Sequence, residues 1–500
     1  MIAAIERNGR ISIPEWIGQA QLLSPDGETA IPLSLAGTRL LAPEEVPAKI
    51  SGFAALKLAE HLIYIEIRLQ LPLSPRRNLP SLSGVFDLWA GDRCLRRRSV
   101  AFTQIEGQKL RLAFACDFHL ADLWNEINEA IKTYSPELSA RALNPALQWK
   151  RFVNDVNSLW DRSDLDLVVL GGDLVDHVLV ESAEDASADS NVHRFLDALL
   201  EIRAPVFVIP GNHDFRLNSW RPRVYGLGAL GLTKSETREL LRLSPLGKGG
   251  IASPGDLRSL ETHDRQGESA LARHLSLLAP SGDYSVDVAG MRLIFASTGC
   301  DAVAKWREVA RRNPVKFLRS LASSWRIPDS LGFDEQQIVR ISELLSGASG
   351  AAIFFHAPLL NPPTTTAGSA GFSTATKGSP WEMPPFQGME TKWQRAGLRK
   401  GVSFLHASAL LEQLIRSGLP VTTFSGHIHR ATRLDLAVSE RRLYQRPVSS
   451  TINEGRTIQL LTAPSVGQTD PGGLSDPGYL LACFDHGRLK GIELRSLSDK

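Results

Sequence analysis

The sequence predicts an α/β sandwich preceded by a smaller β-rich module. Three observations carry that prediction. From residue 109 onward, brief continuous apolar runs such as "DLVVLGGD", "VFVIPGNH", "RLIFAS", "AAIFFH", "VTTFSGH" and "IQLLTAP" alternate with longer stretches. Runs of that length without polar alternation mark strands covered on both faces. The stretches between them, around 145–160, 191–203, 333–346 and 403–417, repeat apolar residues at helical spacing, so helices flank the strands. Residues 1–106 differ: "LIYIEIRLQL" (62–71) and "GVFDLWAGDRCL" (84–95) alternate in short runs broken by proline-rich stretches, the pattern of half-buried strands in a β-rich accessory module.

At 500 residues the chain has room for roughly two or three domains. The division expected is an accessory module over 1–106 and a larger domain over 107–500, interrupted by insertions near 216–283 and 361–400. The second insertion opens with "NPPTTTAGSAGFSTATKGSPWEMPPFQGME", rich in Pro, Gly and Thr, and insertions this long inside a compact domain are often lids or binding loops. Hydrophobic residues make up 43% and charged residues 22%, ordinary globular usage that excludes disordered, collagen-like and coiled-coil classes. A formal charge of +2 is too small for the whole molecule to steer towards nucleic acid or anionic lipid. Cys94, Cys116, Cys300 and Cys483 lie far apart without paired spacing, which argues against a disulfide framework or zinc knuckle and suits a reducing, cytoplasmic compartment. Glu6 and Arg7 interrupt the opening "MIAAIERNGRISIPEW" where a secretory peptide would be apolar, and no run approaches the ~18 apolar residues needed to span a bilayer.

The chemistry-bearing residues stand where the apolar runs stop. "AFACDFH" ends in Asp117 and His119, "VVLGGDLVDH" reaches Asp173, Asp176 and His177, and "FVIPGNHD" supplies Asn212, His213 and Asp214. "IFFHAP" adds His356, and "TFSGHIH" adds His427 and His429. In α/β sheets the C-terminal strand ends form the ligand crevice, so these five strands converge on one site. Carboxylate, amide and imidazole donors without thiolates favour manganese, iron or zinc in an open site, and they outnumber what a single ion needs. Two ions held about 3.5–4 Å apart need a bridging carboxylate, and can acidify a shared water and clamp a phosphate. Asp173 is the natural bridge.

Taken in order, "DFH", "GDLVD", "GNHD", a lone His and "GHIH" resemble the five blocks of the calcineurin-like metallophosphoesterase family, over roughly residues 109–465. The resemblance implies a four-layer α/β/β/α sandwich. It implies one ion held by Asp117, His119, Asp173 and His429, and a second held by Asp173, Asn212, His356 and His427. His213 would stay off the metals and protonate the leaving oxygen or stabilise the charged transition state, with Asp176 orienting it and raising its basicity. Gly211 reads as the residue that lets the chain turn tightly at a strand end. Asp214 is given no ligand role and supports the loop or the adjacent imidazole. "YSVDVAGMRLIFAST" (284–298) resembles the family's hairpin, and "LTAPSVG" (461–467) its strand after the final His pair.

Departures from subfamily patterns narrow the reading. Protein serine/threonine phosphatases of this superfamily carry Arg-Gly where this chain has His177-Val178, and Glu in place of Asp214. Purple acid phosphatases place an iron-binding Tyr at the position of Asp176, and lipid A pyrophosphatases carry Arg in place of His213. What the resemblance leaves is a dinuclear hydrolase in which metal-bound hydroxide attacks phosphorus directly. Its phosphate-ester substrate is read as a phosphodiester, by analogy with the family. The alternatives are a phosphomonoesterase acting on a small metabolite, a nuclease, and a metal-holding scaffold whose N-terminal module recruits a partner. Having both His213 and Asp176 argues against the scaffold, which needs no leaving-group acid. The segment 305–326 has seven basic residues and one acid, with Trp306, Phe317 and Trp325 interleaved. It reads as a solvated helical face split by Pro314, ahead of a nucleic-acid surface. Arg216, Arg221 and Arg223 suit either a phosphate clamp or loop solubility. His177, His193, His263, His274, His406 and His486 read as surface or structural. No GxxxxGK[ST] or GxSxG sequence is present, so triphosphatase and serine-hydrolase readings lack their signatures.

Overall fold

The computed structural model describes residues 2–6, 18–24, 27–40, 62–70, 84–102, 105, 107–176, 191–215, 226–244, 278, 283–298, 331–333, 335–360, 365–367, 373–375, 404–439, 442–446, 457–469 and 475–498. The basic–aromatic segment 305–326, Arg216, Arg221, Arg223, His177, His263, His274 and much of both insertions lie outside them.

The alternating runs of the N-terminal region form β1 (Ile2–Glu6), β2 (Ala20–Leu23), β3 (Ala30–Pro32), β4 (Ser34–Leu40), β5 (Leu62–Gln70), β6 (Gly84–Ala90) and β7 (Arg93–Phe102). They pair antiparallel in two sheets of order β1-β5-β4 and β3-β2-β6-β7. Leu22, Ile31, Phe86 and Leu88 share a small apolar cluster there.

The remaining strands build two larger sheets. The first contains β8 (Lys109–Ala115), β9 (Leu167–Leu170) and β10 (Val206–Val208), parallel to one another, and is completed by β22 (Gly478–Asp485) and β23 (Arg488–Ser496). The second runs through β11 (Asp283–Val288), β12 (Met291–Ala296), β14 (Ala351–Phe354), β18 (Val421–Ser425), β21 (Thr457–Thr462) and β19 (Thr432–Ser439) to β16 (Ser373–Ala375) and β15 (Thr365–Ala367), with β20 (Arg442–Arg446) on β19. A two-residue pairing joins β13 (Leu331–Gly332) to β17 (Phe404–Leu405). The hairpin expected from residue 284 is β11–β12, turned by Ala289 (φ 52°) and Gly290 (φ 73°), two adjacent left-handed residues of the kind that match strand twist.

Alternation along the strands decides what each face covers. In β8, Leu110, Leu112 and Phe114 enter an apolar cluster shared with Phe295, Phe354, Phe424 and Leu461 of the second sheet. Ala113 and Ala115 enter another cluster with α3 (Pro145–Asp161) and α4 (Asn191–Leu199). The two sheets therefore meet face to face. Ring centroids are 5.1 Å apart for Phe295–Phe354, 5.0 Å for Phe354–Phe424 and 5.4 Å for Phe114–Phe424, and each such pair adds about 0.5–1.5 kcal/mol beyond area burial. On the outer face of the second sheet, Ile294, Ile353 and Leu460 pack on α6 (Glu335–Leu345) and α7 (Ala407–Ser417). The α/β arrangement expected from the apolar runs is the one observed.

Helix ends follow local chemistry. Asn144 caps α3 by accepting the Leu147 N–H at 3.1 Å, ahead of Pro145 at the first helical position, where a missing N–H is harmless. Part of the first insertion departs from the loop expected. Residues 226–230 form a 3₁₀ turn and Lys234–Leu243 form α5, started by a Thr233–Glu236 capping box. Leu227, Leu230, Leu232 and Leu240 of this segment bury against Trp124, Ile127 and Ile131 of α1 (Asp122–Tyr134), apolar surface that a loop would leave in water. Among the described residues, no helix is long and apolar enough to cross a membrane.

Candidate metal centre

Each candidate residue sits just past a strand that ends at the same edge of the molecule. β8 leads to Asp117 and His119, β9 to Asp173 and Asp176, β10 to Asn212 and His213, β14 to His356, and β18 to His427 and His429. The β8–β9 pairing continues past the strands as Asp117 N–H to Gly172 carbonyl (2.9 Å) and His119 N–H to Asp173 carbonyl (2.9 Å), which places those loops side by side. Asp117, His119, Asp173, His427 and His429 all take left-handed backbone angles, with φ between 50° and 70°. Such angles are uncommon for residues other than glycine and concentrate at functional sites.

The side chains converge. Ligand atoms of Asp117, His119 and His429 lie within 4.8 Å of one another, as do those of Asp173, His356 and His427 and those of His119, Asp176 and His213. His429 Nε2 is 3.4 Å from Asp117 Oδ1, and His356 Nε2 is 3.2 Å from Asp173 Oδ2 and 3.1 Å from Asn212 Oδ1. All nine sequence-predicted residues are thus drawn into one cleft. His193, His406 and His486 enter none of these groups.

Hydrogen bonds fix the imidazoles. His356 Nδ1 donates to the Gly171 carbonyl at 2.8 Å, which turns Nε2 towards the carboxylates. His213 Nδ1 is 2.5 Å from Asp176 Oδ1, and His119 Nδ1 is 3.3 Å from the same oxygen. One carboxylate atom therefore orients two rings, a second partner that sequence did not anticipate. His427 N–H donates to Asp117 Oδ2 at 2.9 Å, tying the second sheet's loop to the first.

Charge is concentrated and buried. Burial alone would lower the pKa of His356, but Asp173 raises it to about 10. Burial and the neighbouring His356 push His427 down to about 3. Burial works to raise Asp173, and His356 overcomes it, holding the carboxyl well below its ordinary range. Asp117 follows the same pattern, with His429 as its principal counter-charge. Asp176 is also held low against burial, chiefly by His213. The rise of His356 reports the carboxylates beside it, a local negative charge that a cation could also neutralise, and the lowered carboxyls report the imidazoles that face them.

Whether ions fit is answered by two atoms. Asp117 Oδ1 and His119 Nε2 are buried and have no hydrogen-bond partner, although each such atom costs about 1–3 kcal/mol when left unsatisfied. They face each other at 3.9 Å, and coordination to a shared cation would satisfy both. The donor set of carboxylate, amide and imidazole suits manganese, iron or zinc.

One reading of the "GNHD" turn changes, and the reading of Asp214 narrows to its loop alternative. Gly211 does not take a left-handed angle. It is glycine because a Cβ there would lie 2.3 Å from Asp173 N and 2.3 Å from Asp173 Oδ1, so close approach rather than turning freedom requires it. Asp214 does not contact the adjacent ring through any recorded bond. Its buried carboxylate accepts the N–H groups of Leu174 (2.9 Å), Val175 (3.1 Å) and Gly211 (2.7 Å). Also unforeseen was Ser465, past β21, whose hydroxyl donates to the Asp117 carbonyl at 2.8 Å. The signal for Asp214 was its place directly after two candidate site residues in an otherwise apolar turn.

With this geometry in view, residues 110–309 match the family model described as calcineurin-like phosphoesterase. Over those 200 of its 500 residues the chain is similar to that family. The match contains Asp117, His119, Asp173, Asp176, Asn212 and His213, while the imidazoles of β14 and β18 join them through the fold. A protein of Invertebrate iridescent virus 3 named as phosphoesterase 078R is 37% identical over 68 residues, 14% of this chain and 18% of that relative's length. Among solved structures, the purple acid phosphatase PPD1 from yellow lupin (Lupinus luteus) seeds is 13% identical with a TM-score of 0.42, covering 96% of this chain and 67% of that one. A metallophosphoesterase from Sphaerobacter thermophilus is 12% identical with a TM-score of 0.23, covering 78% and 88%. The calcineurin-like phosphoesterase family implies a dinuclear metal centre, in keeping with the two His/Asp groups that contain Asp117 and Asp173.

Proposed function

We propose that this calcineurin-like phosphoesterase hydrolyses phosphate esters at a centre of two ions, one held by Asp117, His119, Asp173 and His429 and the other by Asp173, Asn212, His356 and His427. The observation that carries the proposal is the pair of buried atoms Asp117 Oδ1 and His119 Nε2, which lie 3.9 Å apart with no hydrogen bond to either, His119 Nε2 being 3.7 Å from Asp173 Oδ2. When bound, two ions supply charge stabilisation for the phosphoryl oxygens and an acidified water as nucleophile.

The chain's own residues do the rest. Asp173 Oδ2 is 3.7 Å from His119 Nε2 and 3.2 Å from His356 Nε2, a position between the two ligand groups that suits a bridge. His213 gives its Nδ1 to Asp176, and its Nε2, 3.9 Å from Asp173 Oδ2, would hold a proton for the departing oxygen. Its side chain is 19% exposed against 0% for His356, so it is open to a substrate arriving from solvent. Asp176, shared by His119 and His213, keeps the acid in register with the ligand set. No nucleophilic side chain of the enzyme takes part in this scheme.

Phosphodiesters are the proposed substrate class over monoesters, by analogy with the family. The four cysteines, far apart and without paired spacing in the sequence, support a reducing cytoplasmic setting. The test is turnover of bis-p-nitrophenyl phosphate against p-nitrophenyl phosphate, with bound metal measured in parallel. Wild type is expected to hold two ions and to prefer the diester, Asp173→Asn to lose ions, and His213→Ala to keep ions and lose turnover. A preference for the monoester would overturn the substrate class, and full metal occupancy without hydrolysis of either would overturn the enzyme reading.

A further inference from the structure

We propose that Asp214 is a positioning residue that sets the second ion's ligands without touching the ion, an inference that rests on the dinuclear reading above. Its Oδ1 accepts the N–H of Leu174 at 2.9 Å and of Val175 at 3.1 Å, and its Oδ2 accepts the N–H of Gly211 at 2.7 Å. Leu174 follows Asp173 directly, and Gly211 directly precedes Asn212. One carboxyl group thus grips the peptide unit that follows Asp173 and the Pro210–Gly211 unit, one residue ahead of Asn212. The loops carrying them lie about forty positions apart and share a further bond, His213 N–H to Asp173 Oδ1 at 2.7 Å.

The grip has a specific consequence. Asp173 holds a left-handed angle of φ 50°, uncommon outside glycine although Asp adopts it more readily than most residues, and local hydrogen bonds favour it. Asp214 supplies such bonds at the two amides after Asp173. The side chain is 3% exposed, and every hydrogen bond recorded to its carboxylate comes from a backbone amide of these two loops. A carboxylate suits the place because it offers acceptors on both oxygens. An amide would turn a donor towards one of the three N–H groups. Asp214 therefore holds the Asp173–Asn212 spacing on which a bridged ion pair depends, and leaves the Asp117–His119–His429 group to the other loops.

The test is Asp214→Asn in the full chain, titrated with manganese(II) alone and followed by electron paramagnetic resonance and amide exchange. Wild type is expected to take two exchange-coupled ions. The variant is expected to take one, with the uncoupled spectrum of an isolated ion. Exchange at Leu174, Val175 and Gly211 should rise about tenfold, the change that follows loss of one buried hydrogen bond, while the amides of β9 and β10 stay protected. Should Asp214→Asn aggregate, Asp214→Glu and Asp214→Ser carry the same comparison, with coupling returning in part only where the carboxylate is kept. Two coupled ions at wild-type affinity in Asp214→Asn or Asp214→Ser would overturn the inference. So would exchange rising throughout β9 and β10, which marks a general stabilising role. No manganese binding by wild type would overturn the dinuclear reading itself, a failure seen without any variant.

Discussion

The two large sheets bring unlike chemistry to the same cleft. The sheet of β8, β9 and β10 delivers the carboxylates Asp117, Asp173 and Asp176, the amide of Asn212, and the imidazoles of His119 and His213. The sheet of β14 and β18 delivers imidazoles alone, from His356, His427 and His429. Burial works against ionising Asp117 and Asp173, yet both are held low, by His429 and His356 across the cleft. The candidate ligand set is complete only where the two sheets meet. The site is an interface, and it forms only when the two sheets pack through Phe114, Phe295, Phe354 and Phe424.

That contrast ranks the ways to break the centre. Asp173 faces ligand groups of both sheets, so Asp173→Asn should have the largest effect, a fall in turnover of roughly 10³-fold or more together with loss of bound metal by elemental analysis. His213 lies on the first sheet's side and off the proposed ions. His213→Ala should lower kcat by about 10²–10⁴-fold with metal content unchanged, and equal loss of metal in both variants would erase the distinction between bridge and acid. Chelation would remove the proposed ions between the halves, and should lower stability by about 2.7 kcal/mol for each ion relative to protein at a hundredfold excess of metal over Kd, read as a drop in Tm. Gly211→Ala forces a Cβ to within 2.3 Å of Asp173 N and should cost about 1–3 kcal/mol, with weakened metal binding. The smallest effect belongs to the far side of the first sheet. There Asp155 accepts the Tyr479 hydroxyl at 2.6 Å and the Arg495 guanidinium at 3.0 and 3.1 Å. Tyr479→Phe should cost about 0.5–1.5 kcal/mol and leave turnover untouched.

Much of this was legible before any coordinates. The apolar runs of β9, β14 and β18 are buried at every position, so their continuous hydrophobicity identified them as covered strands. The candidate ligands stand at the ends of those runs, because that is where an α/β sheet opens to solvent. α1 was not singled out, although its apolar residues bury against the ordered part of the first insertion, and only that contact explains them. Ser465 was opaque, and Asp214 was legible only as support for its loop or the adjacent ring, for a related reason. Their partners are backbone groups of loops 40 and 348 residues away, and a backbone amide or carbonyl leaves no mark in the sequence.

The sequence by itself determined which atoms are available: hard oxygen and imidazole donors, free of thiolates, each placed at the end of a strand. Tertiary structure alone decided how they face one another. It set the left-handed angles that aim Asp117, His119 and Asp173 inward, the sharing of one Asp176 oxygen between two rings, and the grip of Asp214 on two loops. The physical reason is that donor identity belongs to a single residue, whereas direction depends on peptide groups that only folding brings within hydrogen-bond range.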